Sequence, residues 1–310
     1  MDAPYSLRRQ FKRDEVIVLS PSIFWPSFAG IVTLAIGLFV ARKSLFITQG
    51  TNKLLALGCV FFAAPLACFG AEHLVNARGI MTVVPTWMPL RLFWTYLVGV
   101  ALIAAGLSLA LRKYMRLSST LLAIMFFLFV LMIHIPNVAA AHLHDRFILA
   151  VALRDLSFAG GALALSAAQN QNHRSNILIR IAAICIALPL IVYGVEHFLH
   201  PEFAPGVPLS KLTPAWVPLP IAWAYLTGAI LLVSGFAILI NKYSRNAATT
   251  VGALMVLLTL FLYVPILAMA TGDSQLIVGV NYVFDTLLYG GALLLLAEAL
   301  PATAPAKSTR

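Results

Sequence analysis

The apolar positions of this chain fall into long blocks, without the short alternation of strands or the one-sided stripes of surface helices. Blocks near the ~20 residues that a helix needs to cross a bilayer lie at 22–41, 54–76, 90–111, 117–137, 147–167, 177–199, 219–240, 247–270 and 277–299. Short polar or proline-containing connections separate them. The pattern predicts an all-α integral membrane protein of about nine spans. The first block follows a basic start, as a secretory signal would. Ser20, Pro21 and Ser22 interrupt it early and no small-residue cleavage site precedes Arg42, so it is expected to be retained as a span.

Composition agrees: of 310 residues 61% are hydrophobic and 10% charged, too few polar groups to cover a soluble core. The net charge of +10 changes the picture only through its placement. Arg42, Lys43 and Lys53; Arg112, Lys113 and Arg116; Arg174 and Arg180; and Lys242 and Arg245 all flank spans on one side of the membrane. Clusters so placed fit the positive-inside tendency and give no patch for nucleic acid. That side is then cytoplasmic, with the tail carrying Lys307 and Arg310, in a plasma (inner) membrane. One conflict stands: an odd number of spans puts the N-terminal Arg8, Arg9, Lys12 and Arg13 outside. Cys59, Cys68 and Cys185 fall within spans, form no Cys-x-x-Cys pair and read as packing residues; Cys59 and Cys68 face opposite sides of one helix.

An internal repeat organises the rest. Gly70-Ala71-Glu72-His73 returns as Gly194-Val195-Glu196-His197, an offset of 194 − 70 = 124. Pro85-Thr86-Trp87-Met88-Pro89 returns as Pro214-Ala215-Trp216-Val217-Pro218, an offset of 214 − 85 = 129, so the second copy carries five extra loop residues. Trp94, Tyr96, Gly99, Gly106, Lys113, Tyr114, Arg116 and Pro136 recur in that register as Trp223, Tyr225, Gly228, Gly235, Lys242, Tyr243, Arg245 and Pro265. Asp155 and Gly160-Gly161 recur one step further out as Asp285 and Gly290-Gly291. Each copy holds four spans, so both share one orientation and the repeats are parallel. The expected organisation is a tail and first span over 1–53, four-helix units over 54–167 and 177–299, and a tail over 300–310, that is, two tandem parallel four-helix bundles plus one N-terminal helix. The glycines serve close helix approach.

The Gly-x-Glu-His ending of the first helix, the Pro-x-Trp-x-Pro loop, the Trp-x-Tyr-x-x-Gly second helix and the glycine-rich fourth helix resemble the DoxX/DoxD-like superfamily of small four-helix membrane proteins. The resemblance covers about 54–167 and again 177–299, and this chain departs from the usual pattern in being a double unit. It implies a four-helix bundle and, in some relatives, association with quinone-linked or thiol-linked redox systems; others act in cargo handling or in assembly of membrane proteins. A redox-accessory subunit with a redox-enzyme partner is therefore expected, with a small-solute or ion-coupled permease, or an assembly factor, as the alternative.

The candidate chemistry lies in polar residues within spans. Topology gathers Glu72, His73, His134 and Asp155 into the outer half of the first unit, and Glu196, His197, Tyr263 and Asp285 into that of the second. Asp155 lies roughly 12 Å inside its span, where a carboxylate needs a partner, a proton or water. Arg154 gives only the first aspartate a neighbouring cation; Asp285 is expected to be protonated or water-contacting, with Tyr263 or Asn281 as its hydrogen-bond partner. Asp155→Asn is then expected to be the more destabilising change of the two. Three readings compete: Glu and His bonding the Pro-x-Trp-x-Pro hairpin as scaffold; a quinone pocket with Trp87 or Trp216 packing on the ring; and ion-coupled transport. Trp94, Trp223, Tyr96 and Tyr225 suit an interfacial belt first and a ligand platform second. Haem on His73 and His134 is disfavoured, because Tyr263 replaces the latter in the second unit. His142-x-His144 is placed in an outer loop. The His197–His200 pair has Asn76 opposite His200 in the first copy, which makes it a poor metal site. No self-sufficient catalytic motif is present.

Overall fold

The computed structural model describes residues 19–140, 145–169, 173–206 and 211–301, the side chains of 173–175 excepted. The two tails, with their basic residues, and His142-x-His144 lie outside the described residues. Within them nine helices are long and apolar enough to cross a membrane, the arrangement of a multi-pass membrane protein. In chain order they are α1 (Pro21–Ile47), α2 (Asn52–Val75), α3 (Arg91–Ala110), α4 (Met115–Ala140), α5 (Arg146–Ala168), α6 (Asn176–Leu199), α7 (Pro220–Leu239), α8 (Ser244–Ala268) and α9 (Asp273–Ala299). Helices suit these sequences because every backbone group is then satisfied within its own segment. The connections alternate between two ends: a basic end, where Arg112 reaches the Ala56 carbonyl and Arg245 the Leu300 carbonyl, and a loop end, which carries the Pro-x-Trp-x-Pro segments.

The irregularities of the backbone recur at the repeat offset. Leu90, Arg112 and Tyr114 are left-handed, as are Leu219, Asn241 and Tyr243, 129 positions on (219 − 90 = 129). A π turn at Val130–His134 has its counterpart at Thr259–Tyr263. Each is followed two residues later by a proline, Pro136 or Pro265, which cannot donate to the helix ladder and so favours a local change of hydrogen-bond register.

The helices of the two copies interlock. α2 packs on α1, α3 and α9, whereas α5 packs on α4, α6 and α9; no extended interface joins α2 to α5 among the described residues. The first helix of each repeat thus lies against the last helix of the other. The glycines make this possible. A side chain at Gly160 would strike the Ala182 carbonyl of α6, one at Gly161 would strike Ala292 of α9, and one at Gly291 would strike the α2 backbone at Phe62. α9 occupies the centre, with Gly290 through Ala297 buried without interruption. α1 covers α2 with a small-residue face of Gly30, Thr33, Gly37 and Ala41.

Candidate functional site

The interlocking decides which polar groups meet. On α5, adjacent residues point about 100° apart. Asp155 turns to α4, where its Oδ2 lies 2.8 Å from His134 Nε2, while Arg154 turns to α9 and meets Asp285 at 2.5 Å. The Arg154 Nε keeps a looser contact of 3.7 Å with Asp155 Oδ1. The expected partners of Asp285, Tyr263 and Asn281, are both engaged elsewhere. Asn281 donates to Glu72 Oε1 at 3.4 Å, and the Tyr263 hydroxyl donates to the Pro205 carbonyl at 2.9 Å. Asp285 is therefore held by the cation that sequence proximity gave to Asp155. The cause is that α5 faces α9 across the centre of the bundle.

The two expected clusters are regrouped in the same way. His134 and Asp155 meet as expected. Glu72 finds its partner on α9 of the other copy, and Glu196 finds Arg146 of α5 at 2.6 Å. Glu72, Asn281, Asp285, Arg154, Asp155 and His134 form one polar layer shared by α2, α9, α5 and α4, with Arg154 close enough to act electrostatically on Glu72, Asp155 and Asp285. Two tyrosines border it: the Tyr193 hydroxyl donates to the Ala150 carbonyl at 2.6 Å, and Tyr289, one turn from Asp285 toward the basic end, accepts from Ser157 at 3.4 Å. Gly290 through Ala297 add eight buried small or aliphatic residues, about 12 Å of helix, between this layer and the basic end.

The loop ends of the two copies differ. In the second, 202–204 pairs antiparallel with 211–213: Ala204 N–H donates to the Lys211 carbonyl and Thr213 N–H to the Glu202 carbonyl. Ala204, Pro205 and Gly206, which follow the first of these segments, are buried in the bundle. There the Gly206 N–H donates to His197 Nε2 at 3.0 Å, and the Tyr263 hydroxyl grips the Pro205 carbonyl. His197 Nδ1 donates to the Tyr193 carbonyl at 2.6 Å, so its tautomer is fixed and both ring nitrogens are occupied. His197 is 3% and Tyr263 2% exposed. A metal shared by His197 and His200 has no free nitrogen to use on the first of them.

In the first copy the shorter loop folds instead as a turn of helix at Ala77–Ile80, of which only Ala77 is buried, and a 3-10 turn at Met81–Val83 with no buried residue. His73 Nδ1 again donates to the carbonyl one turn back, Phe69 at 2.7 Å, but its Nε2 has no hydrogen-bond partner among the described residues. Glu72, His73, His134, Arg154 and Asp155 are all half-buried, and every residue from Val151 to Leu156 is partly open around α5. At the loop end of the first copy these groups thus remain partly open, whereas His197 and Tyr263 of the second are buried.

The aromatic residues divide differently from expectation. Trp87 is 68% exposed and does not cover the polar layer. Tyr96, Tyr225 and Trp223 also point outward, and Tyr225 stacks on Phe198 at 5.4 Å. Trp94 donates to the Pro89 carbonyl at 3.0 Å and fastens its loop. These positions make an interfacial belt. Trp216 alone of the six lines a recess, of about 260 Å³, with Tyr282 and Lys211.

Arg154, Asn281, Arg146, Tyr193 and Tyr289 belong to the polar system although the repeat did not single them out as site residues. Their signal is the reverse of repetition: Phe284, Val151, Leu276, Phe69 and Ala159 stand at the matching positions of the other copy. A family model described as Domain of unknown function (DUF8561) matches residues 62–154, the stretch that carries Glu72, His73, His134 and Arg154. Comparison with curated proteins and with solved structures found no match.

Proposed function

We propose that this is a DoxX-like multi-pass plasma-membrane protein, an accessory subunit of a quinone-linked redox system, whose working site is the partly open polar layer at the loop end of the first copy. In this reading the chain is a tandem duplication with units over 54–167 and 177–299, the Pro-x-Trp-x-Pro loops lie outside, and the basic end and C-terminus are cytoplasmic. The observation that carries the reading is the half-open layer of His73, Glu72 and the His134–Asp155 pair at membrane depth. Intramembrane ionisable groups are costly and are ordinarily functional.

Charge supports a proton-linked role. Glu72, Asp155 and Asp285 face a single guanidinium, Arg154. Such an imbalance in a low-dielectric layer is relieved by protons or by a hydrogen-bonding ligand. His73 Nε2 offers an acceptor, His134–Asp155 can take or return a proton, and Asn281 holds Glu72 toward the layer. A quinone headgroup, with two oxygens that change between acceptor and donor, suits these groups. Electrons would pass to the partner enzyme. The thiol-linked alternative draws no support from the cysteines: Cys59, Cys68 and Cys185 are all free, and all are buried. Against a permease stands the stretch from Gly290 to Ala297, buried and apolar on the central helix between the polar layer and the basic end.

The test is extraction of quinone from protein purified in mild detergent, followed by titration with a short-chain quinone. Binding is expected to fall at least about tenfold, or ~1.4 kcal/mol, in Glu72→Gln and His134→Ala, and to be unchanged in Glu196→Gln. Absence of quinone together with proton-coupled solute uptake in proteoliposomes would replace this reading with the permease.

A further inference from the structure

We infer that the basic end of the first copy is a binding site for an anionic phospholipid, with the phosphate on Arg112 and Arg116 and an acyl chain along α4. This does not rest on the quinone reading. A crevice of about 680 Å³ opens where α3 turns into α4, lined by Arg112, Tyr114, Arg116, Leu117 and Thr120. The turn is fixed by its backbone: Arg112 and Tyr114 are left-handed, and Lys113 N–H donates to the Ser108 carbonyl at 2.9 Å. Arg112 keeps one amino group on the Ala56 carbonyl at 3.0 Å, so its guanidinium is held in position. The Arg116 side chain has no hydrogen bond or ion pair among the described residues and is exposed.

Below this cationic pair an apolar track begins at once. Leu117, Leu121, Ile124 and Leu128 are all exposed and follow one another at spacings of three and four, a single face of α4 turned outward. A phosphate with a hydrocarbon chain attached is the ligand that matches a guanidinium pair continuous with such a track.

The second copy repeats the turn without the site. Asn241 replaces Arg112, while Asn246 and Thr250 replace Leu117 and Leu121. Arg245, the counterpart of Arg116, is tied to the Leu300 carbonyl at 3.1 Å and to Asn52 Oδ1 at 3.3 Å. The same backbone therefore serves as a lipid site in one copy and as a clasp for the end of α9 in the other.

The experiment is native mass spectrometry of the full chain, delipidated in detergent and mixed with equal amounts of phosphatidylglycerol and phosphatidylcholine. Wild type is expected to retain phosphatidylglycerol at least tenfold more than phosphatidylcholine. Arg116→Ala, at an exposed side chain that supports nothing else, and Arg112→Ala with Arg116→Ala should each remove most of that preference. Leu117→Asn with Leu121→Asn should weaken retention of phosphatidylglycerol with the charge untouched, and Arg245→Ala should leave it unchanged. Equal retention by wild type and Arg116→Ala would overturn the assignment. So would displacement of the lipid by millimolar inorganic phosphate, which would mark an ion site with no part for the chain.

Discussion

At their loop ends the two copies place the same Glu-His pair at the same point of the same helix, and yet His197 is sealed in while His73 is only half-buried. The difference is made by five residues of loop. In the second copy the longer connection reaches back far enough for Gly206 and Pro205 to satisfy His197 and Tyr263. In the first, the shorter one ends in two tight turns above the bundle. The two repeats thus hold two equivalent positions, and loop length separates them into a plugged end and a partly open polar layer.

The comparison can be broken most forcefully at the pair that joins the copies. Asp285→Asn leaves the Arg154 guanidinium without its closest partner and is expected to cost about 3–5 kcal/mol. Asp155→Asn keeps the Arg154–Asp285 contact and should cost about 1 kcal/mol. Thermal unfolding of both in one detergent ranks them, and the opposite order would mean that Arg154 serves Asp155 instead. Arg154→Met combined with Asp285→Leu should recover most of the loss, since apolar replacement of a whole buried pair is often close to neutral.

The histidines come next. His197→Ala strands the Gly206 N–H and opens a cavity, for an expected ~2–3 kcal/mol. His73→Ala should cost no more than about 1 kcal/mol, because only the bond to Phe69 is lost. Equal shifts in melting temperature would show that the first copy is sealed as well. Accessibility reads the same contrast directly. With the native cysteines buried, a cysteine at position 73 should react with a small thiol reagent about tenfold faster than one at 197, exposure being what controls the rate. The smallest effect is expected at Arg146–Glu196, a pair near the surface where Glu196→Gln should cost ~0.5 kcal/mol and less in high salt.

Much of this was legible in the sequence, for identifiable reasons. Block length alone located nine helices, because a bilayer imposes its thickness on every span. The change of offset between Glu-His and Pro-x-Trp-x-Pro located the insertion. What the insertion does was not legible: whether a loop caps or enters a bundle depends on bonds such as Tyr263 to Pro205, between residues 58 apart. The partner of Asp285 was hidden for a related reason. Adjacency of Arg154 and Asp155 says nothing about which neighbouring helix each side chain meets, and that neighbour belongs to the other copy. Selecting residues by their recurrence also favoured what the copies share. Arg154, Asn281 and Tyr193 lie among what they do not share, and there the polar layer acquires its character.

The contact of α2 with α9 has a consequence in time. Glu72 enters the bilayer long before Asn281 has been translated, and Arg154 precedes Asp285 by 131 residues. A nascent chain that has completed all four helices of its first copy therefore still holds a guanidinium without its closest partner and an open α2 face. The translocon, a chaperone or neighbouring lipid headgroups must shelter both until the last helix arrives. Chains stopped short of α9 should be degraded, and the two halves expressed as separate polypeptides should accumulate only when made together.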